Sequence, residues 1–357
     1  MNSRASRADD IPPMPMMGKY FTYYGVDFLP PRELGRRSVQ RMVYEFFSEN
    51  SGVCRFHRKW VEAIVDEILA ANTEAVEDVR SAGKKSSKAR GFLMGATAGR
   101  TTLNGEGLQH EDGNSHMMAG MIPNCIAYDP TFAYEIAVIV QDGMRRMFQE
   151  GEDVFYYITV ENENYPHPGI PEGAEEGIRK GLYLFKEGGD AAKKVQLMGS
   201  GAILREALAA ANILSQDFGV EADVWSATSF TELRRDGVDC ARRNRLMPEG
   251  EPSLPWITQC LSGRQGPVVA ASDYVRGFAD QVRGFLPQTD FIVLGTDGYG
   301  RSDTREQLRR FFEVDRYNIA YSALYGLYRQ EQISLSELLA ARENLGLDPT
   351  KPNPSYV

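Results

Sequence analysis

Long apolar runs are missing from this sequence. None of its 357 residues belongs to a run approaching the ~20 consecutive apolar residues that a membrane-spanning helix needs. The first residues, MNSRASRADDIPPMPMM, also lack the apolar core of a secretory signal. These two absences predict a cytoplasmic protein without a membrane partner.

Cysteine and excess positive charge are also scarce. The four cysteines, Cys54, Cys125, Cys240 and Cys260, form no CxxC pair, which argues against a zinc knuckle and a disulfide framework and predicts reduced thiols. The 40 Lys and Arg are outnumbered by 49 Asp and Glu, and only 12 of those acids lie in residues 1–90. An acidic surface disfavours binding to phosphate backbones, so no nucleic-acid partner is expected.

The N-terminal quarter has no α/β pattern. Residues 1–15 are rich in Ser, Arg, Asp and Pro, which predicts a disordered terminus. Within residues 16–90, apolar residues recur at helical spacing from Arg32 to Asn72 and predict two amphipathic helices. The basic segment RSAGKKSSKARG, residues 80–91, is typical of a linker.

From residue 91 onward, short apolar segments alternate with helical ones. The first unit, residues 91–190, begins with FLMGATAG and a Gly-rich stretch from Thr101 to His116; a helix is predicted after Pro130, and the apolar FYYITV predicts a strand. VQLMGSG, ADVWSATSF, PVVAAS and FIVLGTDG predict buried strands of a second unit over residues 191–357. The expected fold class is α/β with parallel sheets, preceded by a helical segment.

The densest polar constellation is GEGLQHEDGNSH, residues 105–116. Glycines let a ligand approach the backbone, and imidazoles beside carboxylates exchange protons near neutral pH. A loop held together by its own hydrogen bonds is the alternative. A metal site at His110, Glu111, Asp112 and His116 is a weaker interpretation, because the spacing fits no helical or hairpin ligand set.

Two further glycine-rich turns follow predicted strands. VQLMGSG, residues 195–201, resembles the start of a phosphate-binding turn but lacks the third glycine and the Lys of known motifs, so no ligand is assigned. GTDGYGRSD, residues 295–303, lies where open α/β sheets place ligands, or it is a surface turn capped by Ser302 and Asp303. His57 and His167 are expected to be surface or packed histidines.

Several consecutive blocks resemble the decarboxylating component of the homodimeric pyruvate dehydrogenase complex. They are ARGFLMGATAGRTTLNGEGLQHEDGNSH, IPNCIAYDPTFAYEIAVIVQDGMRRM, PEGAEEGIRKGLYLF, SATSFTELRRDGVDC and FIVLGTDGYGRSDTREQLRRFFEVD. The resemblance runs from about Ala89 to the C-terminus and preserves the family's order. It covers only the family's C-terminal half.

The resemblance implies a fold and an activity. Residues 91–190 correspond to the C-terminal half of a pyrimidine-binding domain, and residues 191–357 to a transketolase-like C-terminal α/β domain. The family works as a dimer with thiamine diphosphate and magnesium. It oxidatively decarboxylates pyruvate, a product of glycolysis, and passes the two-carbon fragment to the lipoyl group of a dihydrolipoyl acyltransferase component.

The resemblance also implies site residues. His110 corresponds to the family's active-site loop histidine, and Glu106, Asp112 and His116 fall in the same loop. The family reads HEDGHSH where this sequence has Asn114, and Asn keeps hydrogen bonding but cannot carry a proton at neutral pH.

Other parts of the family pattern have no counterpart here. The GDG-and-Asn magnesium motif and the Glu that protonates the aminopyrimidine are not found, so cofactor-binding residues are unassigned and this chain alone is not expected to hold thiamine diphosphate. A split subunit completed by another chain, or a truncated copy, is one expectation. A noncatalytic dimerisation or scaffold fragment is the alternative.

Residues 17–62 resemble the C-terminal part of tungsten-dependent aldehyde ferredoxin oxidoreductases. In that resemblance, ENSGVCRFH matches the segment with the last cysteine ligand of an iron–sulfur cluster, which would be Cys54. One cysteine cannot hold a cluster, so a fusion or rearrangement is the interpretation. An electron-transfer module in residues 1–80 is a third hypothesis.

Overall fold

The computed structural model describes residues 21–24, 90–96, 98–103, 105, 110–287 and 290–357. The predicted disordered terminus and the helices predicted between Arg32 and Asn72 lie outside these residues. In the segment predicted to be helical, residues 21–24 are described and form a strand, β1 (Phe21–Tyr24), which pairs antiparallel with the strand that begins at Phe92. The sequence there, FTYY, consists of aromatic and β-branched residues that favour strands.

The first sheet has four strands in the order β1-β2-β4-β3. Its other strands are β2 (Phe92–Gly95), β3 (Cys125–Tyr128) and β4 (Phe155–Thr159), and these three run parallel. The helices of this part are α1 (Ser115–Met121), α2 (Ala133–Met144), which continues as a π-helical turn over Arg145–Gln149, and α3 (Ala174–Lys180).

The second sheet has five strands in the order β5-β7-β6-β8-β9. They are β5 (Tyr183–Lys186), β6 (Lys193–Gly199), β7 (Val220–Ser226), β8 (Val268–Ala271) and β9 (Phe291–Leu294). Only β5 is antiparallel to its neighbour. The chain therefore enters the second sheet before residue 191.

Helices cover the second sheet and form the C-terminal part. They are α4 (Ile203–Phe218), α5 (Phe230–Leu246), α6 (Trp256–Leu261), α7 (Gly277–Asp280), α8 (Arg305–Phe312), α9 (Arg316–Arg329) and α10 (Leu335–Asn344), with 3-10 turns at Arg283–Phe285 and Pro354–Tyr356. The described residues contain no helix with the length and apolarity of a membrane span.

The alternation of strand and helix follows from the sequence pattern. Strand β6 reads KKVQLMG, and its last five residues are buried. In α4, the apolar residues Ile203, Ala207, Ala210 and Leu214 recur at three- and four-residue spacing and are fully buried. The predicted α/β class with parallel sheets is confirmed.

The two sheets share one hydrophobic cluster and meet at the ends of their parallel strands. Ile158 of β4 and Leu197 of β6 are both fully buried in this cluster. Across the junction, the N–H of Gly201 donates to the carbonyl of Asp129 at 3.1 Å, and the N–H of Arg100 donates to the carbonyl of Asp273 at 3.2 Å. Carboxyl-terminal strand ends are where open α/β sheets place ligands.

Candidate active-site loop

The polar loop over residues 105–116 lies at this junction. Glu106 lies outside the described residues, as do residues 107–109. His110 is exposed, and α1 begins five residues later. The exposed histidine is therefore held close to a short helix at the edge of the first sheet.

Asp112 fixes the turn between His110 and α1. One of its carboxylate oxygens, Oδ1, accepts the N–H groups of Asn114 and Ser115, each at 3.0 Å, and the other accepts the Ser115 hydroxyl. A carboxylate at the first N–H groups of a helix is stabilised by hydrogen bonding and by the helix dipole. Both carboxylate oxygens of Asp112 are therefore used to hold the loop.

Glu111 ties this loop to the glycine-rich loop at residues 295–303. Its Oε2 accepts the N–H of Arg301, and a Cβ on Gly300 would meet that oxygen at 2.5 Å. Burial raises the pKa of Glu111 to about 7, against the lowering influence of the Arg301 N–H and of Arg100. The contact between the two loops, whose sequences lie far apart, was not predicted.

Arg100 is a second link between the same loops, and sequence reasoning missed it. The side chain is only 5% exposed, and its Nη1 donates to the carbonyls of Thr296 and Gly298, the latter at 2.6 Å. Gly113 packs so closely on the guanidinium that a Cβ would lie 2.3 Å from Nη2. The available signal was a lone Arg among small residues in ATAGRTT.

His116 is enclosed, in contrast to His110. Its side chain is fully buried, Nε2 lies 2.9 Å from Thr159 Oγ1, and the ring stacks on Phe278 with an edge contact to Tyr274, both at 4.6 Å between centroids. Burial lowers the pKa of His116 to about 3, so the imidazole is neutral at physiological pH. The fold therefore places the two loop histidines in opposite environments.

The other motifs show mainly structural contacts. Thr304, not Ser302 or Asp303, caps the helix after the loop at 295–303, because its hydroxyl accepts the Gln307 N–H. His167 is a packed histidine, as predicted, since its Nδ1 accepts the N–H of Ala133 at 3.0 Å.

Cysteines and metal ligands add little to the site. The described cysteines, Cys125, Cys240 and Cys260, are free thiols. Cys54 and His57 lie outside the described residues. Within the described ranges, no three His, Cys, Asp or Glu side chains are grouped to hold a metal ion.

Two family models match this chain, and both describe domains of transketolase-like enzymes. Residues 181–315 match the transketolase-like TK C-terminal domain, and residues 72–168 match the pyruvate dehydrogenase E1 component middle domain. Among solved structures, transketolase from Leishmania mexicana is 17% identical with a TM-score of 0.49, covering 68% of this chain and 31% of that one.

The curated relatives of this chain are pyruvate dehydrogenase E1 components. The chain is 55% identical over 272 residues to the pyruvate dehydrogenase E1 component of Cupriavidus necator, covering 76% of this chain and 30% of that protein. It is 55% identical over 269 residues to that of Pseudomonas aeruginosa, covering 75% and 30%. Over about three quarters of its length this chain therefore matches the pyruvate dehydrogenase E1 component family, in agreement with the resemblance in sequence.

The match covers only part of these relatives. The chain spans 30% of the length of these relatives. The middle-domain match begins at residue 72, ahead of Ala89, where the resemblance was first evident. The resemblance of residues 17–62 to aldehyde ferredoxin oxidoreductases falls almost wholly outside the described residues and stays a prediction.

Proposed function

We propose that this chain contributes part of a thiamine-diphosphate-dependent pyruvate dehydrogenase E1, acting in the cytoplasm together with a complementing chain. The reaction is oxidative decarboxylation of pyruvate with transfer of the acetyl group to a lipoyl acyltransferase. The observation that carries this proposal is that His110 is exposed while Glu111, Asp112 and Arg100, beside it, hold the adjoining segments by hydrogen bonds. A rigid base with one accessible imidazole suits hydrogen bonding to a bound reactant.

The cofactor does not fit the described residues by themselves. A magnesium–diphosphate group needs several oxygen ligands around one ion together with groups that hold the diphosphate. The described part of the chain offers no cluster of three acidic or imidazole side chains, and the sequence has no GDG-and-Asn motif. We therefore assign the diphosphate anchor to the complementing chain. Thiamine diphosphate supplies the electron sink for loss of carbon dioxide when the assembly is complete.

The loop residues take different roles in this proposal. His110 contacts the reactant, and Asp112 fixes the turn that presents His110. Glu106 belongs to the same loop, four residues before His110 in the sequence. His116 acts from the interior as a positioning residue through Thr159. Burial of its ring keeps it neutral, so it contributes a hydrogen bond and not a charge.

Complementation tests the proposal. The purified chain is titrated calorimetrically with thiamine diphosphate and magnesium, then mixed with the portion of the Pseudomonas aeruginosa E1 that it does not span. We expect no tight binding by the chain alone and pyruvate-dependent reduction of an artificial acceptor by the mixture. His110→Ala should lower that activity by about 100-fold or more, while Asn114→His, an exposed change, should preserve it. Tight binding by the chain alone would contradict the need for a partner.

A noncatalytic dimerisation or scaffold role is the second candidate. Three methionines of α1 are exposed beside the loop, Met117 at 37%, Met118 at 36% and Met121 at 79%. An exposed apolar face of flexible methionines is typical of a surface that a second chain covers. A stable dimer by light scattering that Met121→Lys dissociates, with no activity in the complemented mixture, would favour this candidate.

A further inference from the structure

Acidic side chains are concentrated where the strand ends of the two sheets meet. Asp129 follows β3, Glu161 follows β4 and Asp273 follows β8. Asp129 is 1% exposed, Asp273 is fully buried, and both carboxylate oxygens of Glu161 are buried. Burial raises the pKa of each of the three carboxyls, to about 7 for Asp129. Such a concentration of buried acids costs free energy unless protons or cations accompany it.

Only one of these carboxylates is fully used by the protein. Asp273 accepts four hydrogen bonds from the N–H and hydroxyl groups of Thr101 and Thr102, at 2.6 to 3.1 Å. Asp129 Oδ1 accepts the Thr159 hydroxyl at 2.7 Å, but its Oδ2 has no hydrogen-bond partner. Neither oxygen of Glu161 has a partner. The acceptors left over therefore belong to Asp129 and Glu161.

The leftover oxygens approach one point above Gly201. A Cβ built on Gly201 would lie 2.8 Å from Asp129 Oδ2 and 2.8 Å from Glu161 Oε1. The two oxygens are therefore within twice that distance of each other. The neighbouring Ser200 is fully buried, and its hydroxyl acts to lower the pKa of Asp129. The Oγ of Ser200 nevertheless forms no hydrogen bond of regular geometry.

The nearby guanidinium groups are engaged elsewhere. Arg309 forms ion pairs with Glu163 and, at 3.5 Å, with Glu206, and Arg205 pairs with Glu163 at 2.6 Å. Arg309 lowers the pKa of Glu161, but repulsion from Asp129 and Asp273 outweighs it. If all three carboxyls were ionised, their negative charge would exceed what these side chains neutralise, so a proton or a cation must accompany them.

We propose that Asp129 Oδ2, the Glu161 carboxylate and Ser200 Oγ form a binding site for a hard, oxygen-ligated cation between the two sheets. No third acidic or imidazole ligand converges there among the described residues, so the remaining ligands are backbone carbonyls and water. Carboxylate, hydroxyl and carbonyl oxygens suit Ca²⁺, Mg²⁺ or an alkali cation and not zinc. The site does not depend on the proposed enzymatic function. A cation bound there would connect the two sheets at the junction where the loop of His110 lies.

Metal-dependent unfolding of the full chain tests the site. The chain is stripped with EDTA and dialysed, and its Tm is measured with Ca²⁺, Mg²⁺, K⁺ or Na⁺ at constant ionic strength set by tetramethylammonium chloride. A cation that binds the native state raises Tm saturably, here by several degrees. Glu161→Gln should lose that rise, while the exposed control Glu172→Gln should keep it.

Terbium luminescence provides a second readout should Glu161→Gln fold poorly. The Tyr274 hydroxyl lies 3.5 Å from Asp129 Oδ1, close enough to sensitise Tb³⁺ bound at this point, and Ser200→Ala should weaken the signal severalfold. No cation-specific rise in Tm, or a rise of equal size in Glu161→Gln, would overturn the proposal. Uptake of one proton by the Asp129–Glu161 pair with no metal response would overturn it as well, because the carboxyls would then share a proton.

Discussion

Arg100 donates a hydrogen bond to the carbonyl of Gly298 at 2.6 Å, joining two loops that lie almost two hundred residues apart. The same guanidinium nitrogen donates to the carbonyl of Thr296. Arg100 is 5% exposed; its bond to Thr296 is buried, and its bond to Gly298 is partly buried. The base of the His110 loop therefore depends on an interaction between the first and the second sheet.

Replacing Arg100 should release this junction. Arg100→Ala removes two charge-assisted hydrogen bonds and leaves two carbonyls without their donor, so a loss of about 2–4 kcal/mol in the free energy of unfolding is expected. Arg276→Ala is the matched control, because Arg276 pairs with Asp297 at the surface and half of its side chain is exposed, which predicts a loss below about 1 kcal/mol. Urea unfolding measures both. Equal losses would contradict the linking role of Arg100.

Gly201 should tolerate a side chain less well than another glycine of similar backbone conformation. Gly201 (φ +51°) and Gly219 (φ +61°) are both left-handed, but only Gly201 faces atoms within reach of a Cβ. Gly219→Ala is expected to cost about 1 kcal/mol from backbone strain alone. Gly201→Ala should cost about 2–4 kcal/mol because the carboxylates of Asp129 and Glu161 must also move. Thermal unfolding of the two variants gives the comparison. A similar Tm for both would show that the carboxylates of Asp129 and Glu161 can move aside at little cost.

Glu111 should make the protein less stable as the pH rises. Its pKa is about 7 in the folded chain against an ordinary 4.5, so the native state binds more protons than the unfolded state between these values. Stability is then lost as pH increases from about 4.5 to about 7. Glu111→Gln keeps an acceptor for the Arg301 N–H and removes this titration. The variant should gain about 1–3 kcal/mol relative to the wild type between pH 4 and pH 8.

Glu163 is the control for that experiment, because its pKa is shifted in the opposite direction to that of Glu111. Although burial raises its pKa, hydrogen bonds and charge from Arg309 and Arg205 hold the pKa of Glu163 below its ordinary value. Its stabilising contribution is present above the ordinary pKa and is lost as pH falls. Glu163→Gln should therefore be most costly near neutral pH. If urea unfolding at pH 4 and pH 8 shows the same trend for both variants, the assigned environments are wrong.

His116 should stay neutral while the protein is folded. Its pKa of about 3 means that stability is lost as pH falls below the ordinary value of 6.5, because the unfolded chain takes up the proton first. NMR of the imidazole should show no titration between pH 5 and pH 8. His116→Phe keeps the packing on Phe278 and loses the bond to Thr159, so it should cost about 1 kcal/mol at pH 7 and less at pH 4. A titration midpoint near 6.5 in the folded protein would contradict the enclosed position.

Short-range patterns were enough to establish much of this protein. Short apolar runs predicted β4, β6, β7, β8 and β9, because a strand buried on both faces needs apolar residues throughout. The order of the blocks from Ala89 onward indicated the E1 family. Four of the described strands were not predicted, β1, β2, β3 (Cys125–Tyr128) and β5 (Tyr183–Lys186), because their segments carry no distinct period.

The sequence by itself determined the fold class, the family and the loop that carries His110, because these depend on local periodicity and on the order of motifs along the chain. Only the tertiary structure decided which histidine is exposed, which carboxylates are buried, and that Arg100, Glu111 and Gly201 join distant segments. Those properties depend on how the ends of the two sheets meet in space. Exposure, pKa and hydrogen bonding are set there by neighbours that lie far away in sequence.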